Sequence, residues 1–116
     1  MLTIYHNPRC SKSRQTLQLI EEHKAPVEVV LYLQNPPGVN ALKTALDKLG
    51  QPVTALLRPK EETFKNLGLS LKDDRSDEAW LQLIHEHPIL LERPLVVGAD
   101  KAVIGRPPEN VLSLLN

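Results

Sequence analysis

The fold is decided by residues 2–32, which read LTIYHNPRCSKSRQTLQLIEEHKAPVEVVLY. The apolar run Leu2–Tyr5 is typical of a short β-strand, and Asn7-Pro8 predicts the turn that ends it. From Ser11 to His23 the apolar residues recur at helical intervals, which predicts a helix. Val27–Tyr32 is β-branched and apolar, so it predicts a second strand. The stretch therefore predicts a βαβ unit with two parallel strands and a right-handed crossover.

The middle of the chain, from about residue 38 to residue 88, is predicted to be a helical insertion. Apolar residues repeat at helical spacing from Ala41 until Gly50. Two shorter helical pieces are predicted near Thr54–Leu57 and Glu61–Leu67. A further helix begins at Ser76 or Asp77, either of which can cap it, and it runs through Ala79, Trp80, Leu83 and Ile84.

The last quarter of the chain predicts a β-hairpin followed by a helix. Leu95–Gly98 and Lys101–Gly105 flank a tight Ala99-Asp100 link, and Pro107-Pro108 opens a final helix through Leu115. The element order is therefore βαβ, several helices, then ββα. This order predicts an α/β fold of the thioredoxin-like plan, with helices over a four-stranded mixed sheet, and a single domain over residues 1–116.

The composition excludes several classes of protein. Hydrophobic residues make up 41% and charged residues 24% of the chain, as in ordinary globular domains. Fourteen basic residues balance fourteen acidic ones and aromatic residues are only 3%, so no nucleic-acid partner is expected. No apolar run is long enough for a membrane helix or a signal peptide, so we expect a cytoplasmic location and no membrane partner. We also expect a monomer.

Cys10 is the only cysteine, which excludes an internal disulfide and any multi-cysteine metal site. We expect neither a metal nor a tightly bound cofactor. Cys10 lies where the first strand turns into the first helix, and helix N–H groups there favour a thiolate. Arg9, Lys12 and Arg14 add positive charge nearby, and Ser11 and Ser13 add hydroxyl groups that could donate to the sulfur or to a bound anion. The alternative is a buried small hydrophobic residue, but these polar neighbours favour a reactive thiol.

Three of the six arginines directly precede a proline, although about half a pair is expected by chance among ten prolines in this chain. These are Arg58, Arg93 and Arg106. A residue before proline is restricted to extended conformations, so the three side chains project from stiff loops. Such guanidinium groups suit bidentate recognition of a tetrahedral oxyanion. Arg93 and Arg106 bracket the predicted hairpin and can reach one site, although three solvated surface arginines would show the same spacing.

The four histidines predict no metal site. His85 and His87 are two positions apart, so they do not share a helix face and more readily lie at a helix C-terminus. His6 precedes the turn before Cys10. It could act as a general acid, order the loop or cap the strand, and the sequence does not distinguish these roles.

The segment Tyr5-His6-Asn7-Pro8-Arg9-Cys10-Ser11-Lys12-Ser13-Arg14, with Thr16-Leu17 after it, resembles the active-site loop of glutaredoxin-dependent arsenate reductases. Further segments match the same family in the same order: Leu31-Tyr32-Leu33, Asn35-Pro36-Pro37, Ala55-Leu56-Leu57-Arg58, His87-Pro88-Ile89-Leu90 to Arg93-Pro94, and Gly105-Arg106-Pro107. The resemblance covers essentially the whole chain. This chain departs from the best-known members at Ser11-Lys12, where those members have Gly-Thr. Those members also carry a longer C-terminal tail.

The resemblance implies a thioredoxin-like fold with a helical insertion and a cis peptide before Pro94. It implies that Cys10 is the nucleophile, that Ser13 and His6 belong to the catalytic loop, and that an oxyanion is held by three arginines. The substrate-binding residues implied in this way are Arg58, Arg93 and Arg106, with Asn7, Ser11 and Arg14 from the loop.

The activity implied is reduction of arsenate to arsenite, with glutathione as co-substrate and glutaredoxin as partner. Three alternatives stay open. A cysteine phosphatase would need a longer spacing than the three residues between Cys10 and Arg14. A regulator similar to Spx-type proteins would bind RNA polymerase, although Ser13 stands where their redox switch commonly has a second cysteine. A thiol oxidoreductase could also act on another oxyanion or on a thiol substrate.

Overall fold

The computed structural model of the protein describes residues 1–115, which form two compact units. The sheet unit comprises residues 1–35 and 93–115, and the helical unit comprises residues 36–92. The helical insertion predicted at about 38–88 lies within the helical unit. The elements of the sheet unit are β1 (Leu2–His6), α1 (Ser11–Glu22), β2 (Val27–Leu31), β3 (Leu95–Val97), β4 (Ala102–Ile104) and a terminal 3₁₀ helix (Pro108–Leu114).

The sheet has four strands in the order β2-β1-β3-β4. Strands β1 and β2 run parallel, with Leu2 opposite Val27 and His6 opposite Leu31. Strand β3 is antiparallel to both β1 and β4. The predicted four-stranded mixed sheet is therefore confirmed, and both predicted strands of the βαβ unit end within one residue of the observed bounds.

The core of the sheet unit follows from the two periodicities of its elements. Alternate residues of β1 are buried, which places Leu2 and Ile4 on the covered face of the sheet. Helix α1 buries Ser13, Thr16 and Ile20, which lie on one helical stripe. Only Ile20 of these three belongs to the apolar cluster, together with Leu2, Ile4, Val96 and Val111. The end of the stripe nearest Cys10 is therefore buried and polar.

The helical unit contains α2 (Val39–Leu49), α3 (Glu62–Asn66) and α4 (Asp77–Glu86), with 3₁₀ turns at Val53–Leu56 and Pro88–Leu90. Helix α2 ends at Gly50, whose φ of 67° is the left-handed conformation that glycine accommodates without a steric penalty. Helix α4 begins after Ser76, whose Oγ accepts a hydrogen bond from the Ala79 N–H at 3.1 Å. Ser76 rather than Asp77 is therefore the cap.

Two segments predicted as ordinary helix are 3₁₀ helix instead. The piece expected near Thr54–Leu57 is the 3₁₀ turn Val53–Leu56, and Leu57 forms an isolated antiparallel bridge with Leu91. The final helix spans Pro108–Leu114 and is also 3₁₀. Apolar spacing over so few residues does not distinguish the two helix types, because their periods differ by less than one residue per turn.

The hairpin link comprises the four residues between Val97 and Ala102, and it is closed by the Gly98 N–H, which donates to the Lys101 carbonyl at 2.8 Å. His85 lies in the last turn of α4, where its Nδ1 is 2.9 Å from the Pro37 carbonyl, and His87 is the C-cap. Within residues 1–115 no helix combines the length and apolar character needed to cross a bilayer.

Candidate active site

The reactive loop connects β1 to α1 and is ordered by Asn7. The Asn7 Oδ1 accepts a hydrogen bond from the Arg9 N–H at 3.0 Å, and the Asn7 carbonyl accepts one from the Cys10 N–H at 3.0 Å. This is the local hydrogen bonding that makes asparagine favourable in turns. The Cys10 backbone is extended, with φ −93° and ψ 123°, and its carbonyl accepts from the Arg14 N–H at 3.0 Å. Cys10 is therefore the N-cap of α1.

Cys10 is buried, with 9% of the residue exposed, yet its surroundings favour a negative charge on the thiol. Burial by itself raises the pKa of the thiol. Three groups stabilise the thiolate and together outweigh burial: the backbone N–H of Ser13, the Arg93 guanidinium through its hydrogen bond and charge, and the backbone N–H of Lys12. The pKa of Cys10 therefore lies below its ordinary value. This is the direction expected for a thiol at a helix N-terminus.

Arg93 and Arg106 lie on the same side of the sheet unit as Cys10. The Arg106 Nη1 is 3.8 Å from the Cys10 Sγ and also donates to the Arg93 carbonyl at 3.3 Å. The peptide bond before Pro94 is cis, which confirms the expectation from the resemblance, and the bond before Pro107 is cis as well. The hairpin thus brings two guanidinium groups, 13 positions apart in the chain, to one sulfur atom.

His6 and Ser13 form a buried pair beside the loop. The His6 Nδ1 is 2.6 Å from the Ser13 Oγ, which also accepts a hydrogen bond from the Asn7 N–H at 3.0 Å. Burial and the charge of Arg14 lower the pKa of His6, and Glu21 opposes them, with a net lowering. A hydroxyl can either donate to a ring nitrogen or accept from it, so the tautomer of the ring sets the direction of this bond. These hydrogen bonds tie His6 and Ser13 to the loop, and the catalytic roles of the two residues stay predictions.

The other loop candidates are placed at the start of α1. Ser11 is its first residue and is exposed. Arg14 is also exposed, and its Nη1 donates to the Pro8 carbonyl at 3.0 Å. The binding roles of Asn7, Ser11 and Arg14 stay predictions, and the hydrogen bonds of Asn7 and Arg14 show that both side chains support the loop.

Arg58 belongs to the helical unit, where two carboxylates hold its guanidinium. Its Nε is 3.0 Å from Glu61 Oε1 and its Nη1 is 2.8 Å from Glu92 Oε1. Burial opposes the charge, but the two carboxylates outweigh it and raise the pKa of Arg58. The role of Arg58 as an oxyanion ligand stays a prediction.

Thr16, Gly105 and Asn110 surround the Arg106 turn, and the sequence predicts no role at the site for any of them. Thr16 donates to the Gly105 carbonyl and Asn110 donates to the Arg106 carbonyl, and a Cβ atom at Gly105 would collide with the Thr16 side chain. Glycine directly before the conspicuous Arg-Pro pair was the available signal, because a glycine beside a functional residue often marks a close backbone approach.

Comparisons with known proteins agree with this architecture. The sequence pattern of the ArsC family matches residues 5–114. The chain belongs to the ArsC family.

Relatives in this family carry the name arsenate reductase. The protein of that name from Neisseria meningitidis is 44% identical over 98% of this chain and 97% of its own length. The one from Haemophilus influenzae is 47% identical, over 97% of each chain. A solved structure of an arsenate reductase from Vibrio cholerae superposes with a TM-score of 0.86 at 47% identity, and the match covers 97% of this chain and 95% of the other. The fold is the thioredoxin-like fold of ArsC proteins.

Proposed function

We propose that the protein is an arsenate reductase in which the Cys10 thiolate is the nucleophile and arginine side chains bind the substrate. The observation that carries this proposal is the position of the Cys10 Sγ, at the N-terminus of α1 and 3.8 Å from the Arg106 Nη1, with Arg93 lowering its pKa. A sulfur atom in these surroundings is ionised more readily than a free thiol. The same positive groups suit a small oxyanion that approaches the sulfur.

Arsenate is a tetrahedral anion, and its charge has to be offset before an anionic sulfur can attack it. Arg93 and Arg106 supply two cations on the sheet unit, and the N–H groups of the first turn of α1 supply partial positive charge. We retain Arg58 as a proposed third ligand on the ground that it shares the Arg-Pro pattern of the other two. Its binding of arsenate would have to compete with Glu61 and Glu92 for the guanidinium.

The first chemical step forms a bond between sulfur and arsenic. The Cys10 thiolate attacks As(V), an oxygen of arsenate takes up a proton, and water leaves. The oxidation state of arsenic does not change in this step. Arg93 and Arg106 stabilise the charge that develops on the arsenate oxygens.

The second step needs a thiol from outside the chain. Cys10 is the only cysteine, so no internal disulfide can release the product. An external thiolate attacks the Cys10 sulfur, a mixed disulfide forms, and the electron pair of the S–As bond moves to arsenic, which leaves as arsenite. A second thiol then reduces the mixed disulfide and restores Cys10. We propose glutathione for the first thiol and glutaredoxin for the second, which places the protein in the reducing cytoplasm.

The decisive experiment is turnover by the purified protein. Arsenate reduction is followed by NADPH oxidation with glutathione, glutaredoxin and glutathione reductase present, and each component is omitted in turn. Cys10→Ser is the matched control, because it replaces sulfur by oxygen in the same position, and it should reduce turnover at least about 10³-fold. Comparable turnover by Cys10→Ser, or no turnover by a folded wild-type protein with a reactive thiol, would overturn the proposal.

A further inference from the structure

Thr16 connects the helix that carries Cys10 with the turn that carries Arg106. It is fully buried in the second turn of α1. Its Oγ1 lies 2.8 Å from the Lys12 carbonyl and 3.3 Å from the Gly105 carbonyl. A threonine hydroxyl has a single proton, so the two carbonyl groups share one donor. One side chain thus contacts the first turn of α1 and the residue directly before Arg106.

Gly105 is enclosed on both sides at this contact. A Cβ atom at this position would lie 2.5 Å from the Thr16 Oγ1 and 2.7 Å from the Pro94 Cγ. The Gly105 N–H donates to the Pro94 carbonyl at 2.9 Å. Gly105 is therefore packed between α1 and the residue that follows Arg93, and no larger residue fits without displacing one of them.

The Arg106 turn is held on its outer side by Asn110. The Asn110 Nδ2 donates to the Ile104 carbonyl at 3.1 Å and to the Arg106 carbonyl at 3.2 Å. Arg106 itself lies 3.8 Å from the Cys10 Sγ through Nη1, which also donates to the Arg93 carbonyl. The Thr16 hydroxyl bonds this turn to α1, whereas Asn110 bonds to carbonyl groups of the turn from the 3₁₀ helix that follows it.

We propose that Thr16 is a positioning residue that, through Gly105, holds Arg106 against the Cys10 sulfur. The inference rests on the thiolate role of Cys10 in the proposed function. Thr16 does not touch the sulfur in this role. It sets the distance between α1 and the Arg106 turn, and a guanidinium at 3.8 Å stabilises the thiolate more than one that is displaced toward water.

The test compares Thr16→Val with Thr16→Ser. Valine keeps the shape of threonine but removes the hydroxyl, whereas serine keeps the hydroxyl. Cys10 is the only cysteine, so alkylation by iodoacetamide reports on this thiol alone. In Thr16→Val the rate at about pH 6 should fall about threefold and the midpoint of the rate profile against pH should move upward. Thr16→Ser should restore the wild-type profile. A change in access to the sulfur would scale the rate at every pH and leave the midpoint unchanged.

The matched control is Thr44→Val in α2. Thr44 also bonds to the carbonyl four residues earlier, Asn40, at 3.1 Å, but it is exposed and belongs to the helical unit. It should leave the alkylation profile unchanged. This control separates the loss of a helical side-chain bond from the loss of the contact with Gly105.

A double variant tests whether the effect passes through Arg106. In the Arg106→Gln background, Thr16→Val should cause no further shift of the midpoint, because the group that Thr16 positions is gone. Additive shifts, or a Thr16→Val profile identical to wild type, would overturn the proposal. Gly105→Ala disrupts the same contact from the side of the turn. In the folded variant the midpoint of the alkylation profile should shift upward, as in Thr16→Val. None of these measurements uses arsenate, so failure here leaves the proposed turnover to be judged by its own experiment.

Discussion

The same dipeptide, arginine followed by proline, has different partners in the two units of the molecule. In the helical unit Arg58 donates to Glu61 and Glu92, so one cation faces two carboxylates. In the sheet unit Arg93 lowers the pKa of the Cys10 thiol, and the Arg106 Nη1 lies 3.8 Å from its sulfur. The local backbone restriction imposed by proline is common to all three arginines. The difference lies in the anions that the fold places around each guanidinium.

This comparison shows that an arginine pattern predicts a rigid cation but not what the cation binds. A guanidinium that already has two carboxylate partners stabilises its own unit, and a substrate has to compete with those partners for it. A guanidinium that faces a thiol changes the reactivity of that thiol and can also accept an anionic substrate.

Replacing the arginines that face the thiol should cause the largest loss. Arg93→Gln and Arg106→Gln should each lower kcat/KM for arsenate about 100-fold, because each removes a cation that stabilises charge at the reacting oxygens. The same variants should move the alkylation profile of Cys10 to higher pH. Lys101→Gln, which removes the same charge from the hairpin link, is the control and should change neither quantity. If both arginine variants kept full kcat/KM, the contrast between the two units would have no functional meaning.

Replacing Arg58 should reduce stability by an intermediate amount. Arg58→Gln leaves Glu61 and Glu92 without the cation that separates them, and all three side chains are only 20% to 24% exposed. Breaking a fully buried ion pair lowers the free energy of unfolding by a larger amount, but water screens the charges of these partly exposed side chains. We therefore expect a loss of about 2 kcal/mol in the free energy of unfolding, measured with urea.

The control for that measurement is Lys43→Gln. Lys43 pairs with Glu78 at 3.5 Å, but the two side chains are 55% and 72% exposed. Its replacement should cost less than about 0.5 kcal/mol. Equal losses in the two variants would show that the carboxylates around Arg58 add nothing beyond an ordinary surface pair.

The smallest effect concerns His6, which supports the thiol loop as a neutral ring. Its pKa is lowered in the folded protein, mainly by burial, whereas the unfolded chain has the ordinary value near 6.5. The unfolded state therefore takes up a proton first as the pH falls. The stability contributed by neutral His6 is fully present above about pH 6.5 and is lost below it, toward the folded pKa.

His6→Asn isolates this contribution, since the asparagine amide can donate to or accept from the Ser13 hydroxyl but does not titrate. The free energy of unfolding should fall more steeply in wild type than in His6→Asn between about pH 7.5 and pH 5.5. A wild-type protein that gained stability relative to His6→Asn in acid would show that the folded state binds the proton instead.

The sequence by itself determined the elements and part of the site. Period-two and helical spacing defined the βαβ unit and the hairpin, and the position of Cys10 at the start of α1 followed from the turn at Asn7-Pro8. The sequence also predicts that Arg93 and Arg106 lie close together, because a hairpin returns the chain to the same end of the sheet. These inferences depend on neighbouring residues, whose backbone conformations are restricted by local sterics and by burial of one face.

Tertiary structure alone decided which polar side chains pair with groups far away in the chain. Glu92 reaches Arg58 across 34 positions of the chain, and the Thr16 hydroxyl reaches the Gly105 carbonyl across 89. No local pattern encodes such pairs, because a hydrogen bond depends on the distance between two groups that only the packed elements bring within about 3 Å. The cis peptide bond before Pro107 and the 3₁₀ form of the last helix were also not predicted from the sequence. An arginine before a proline is a property of the sequence, and the anion it faces is a property of the fold.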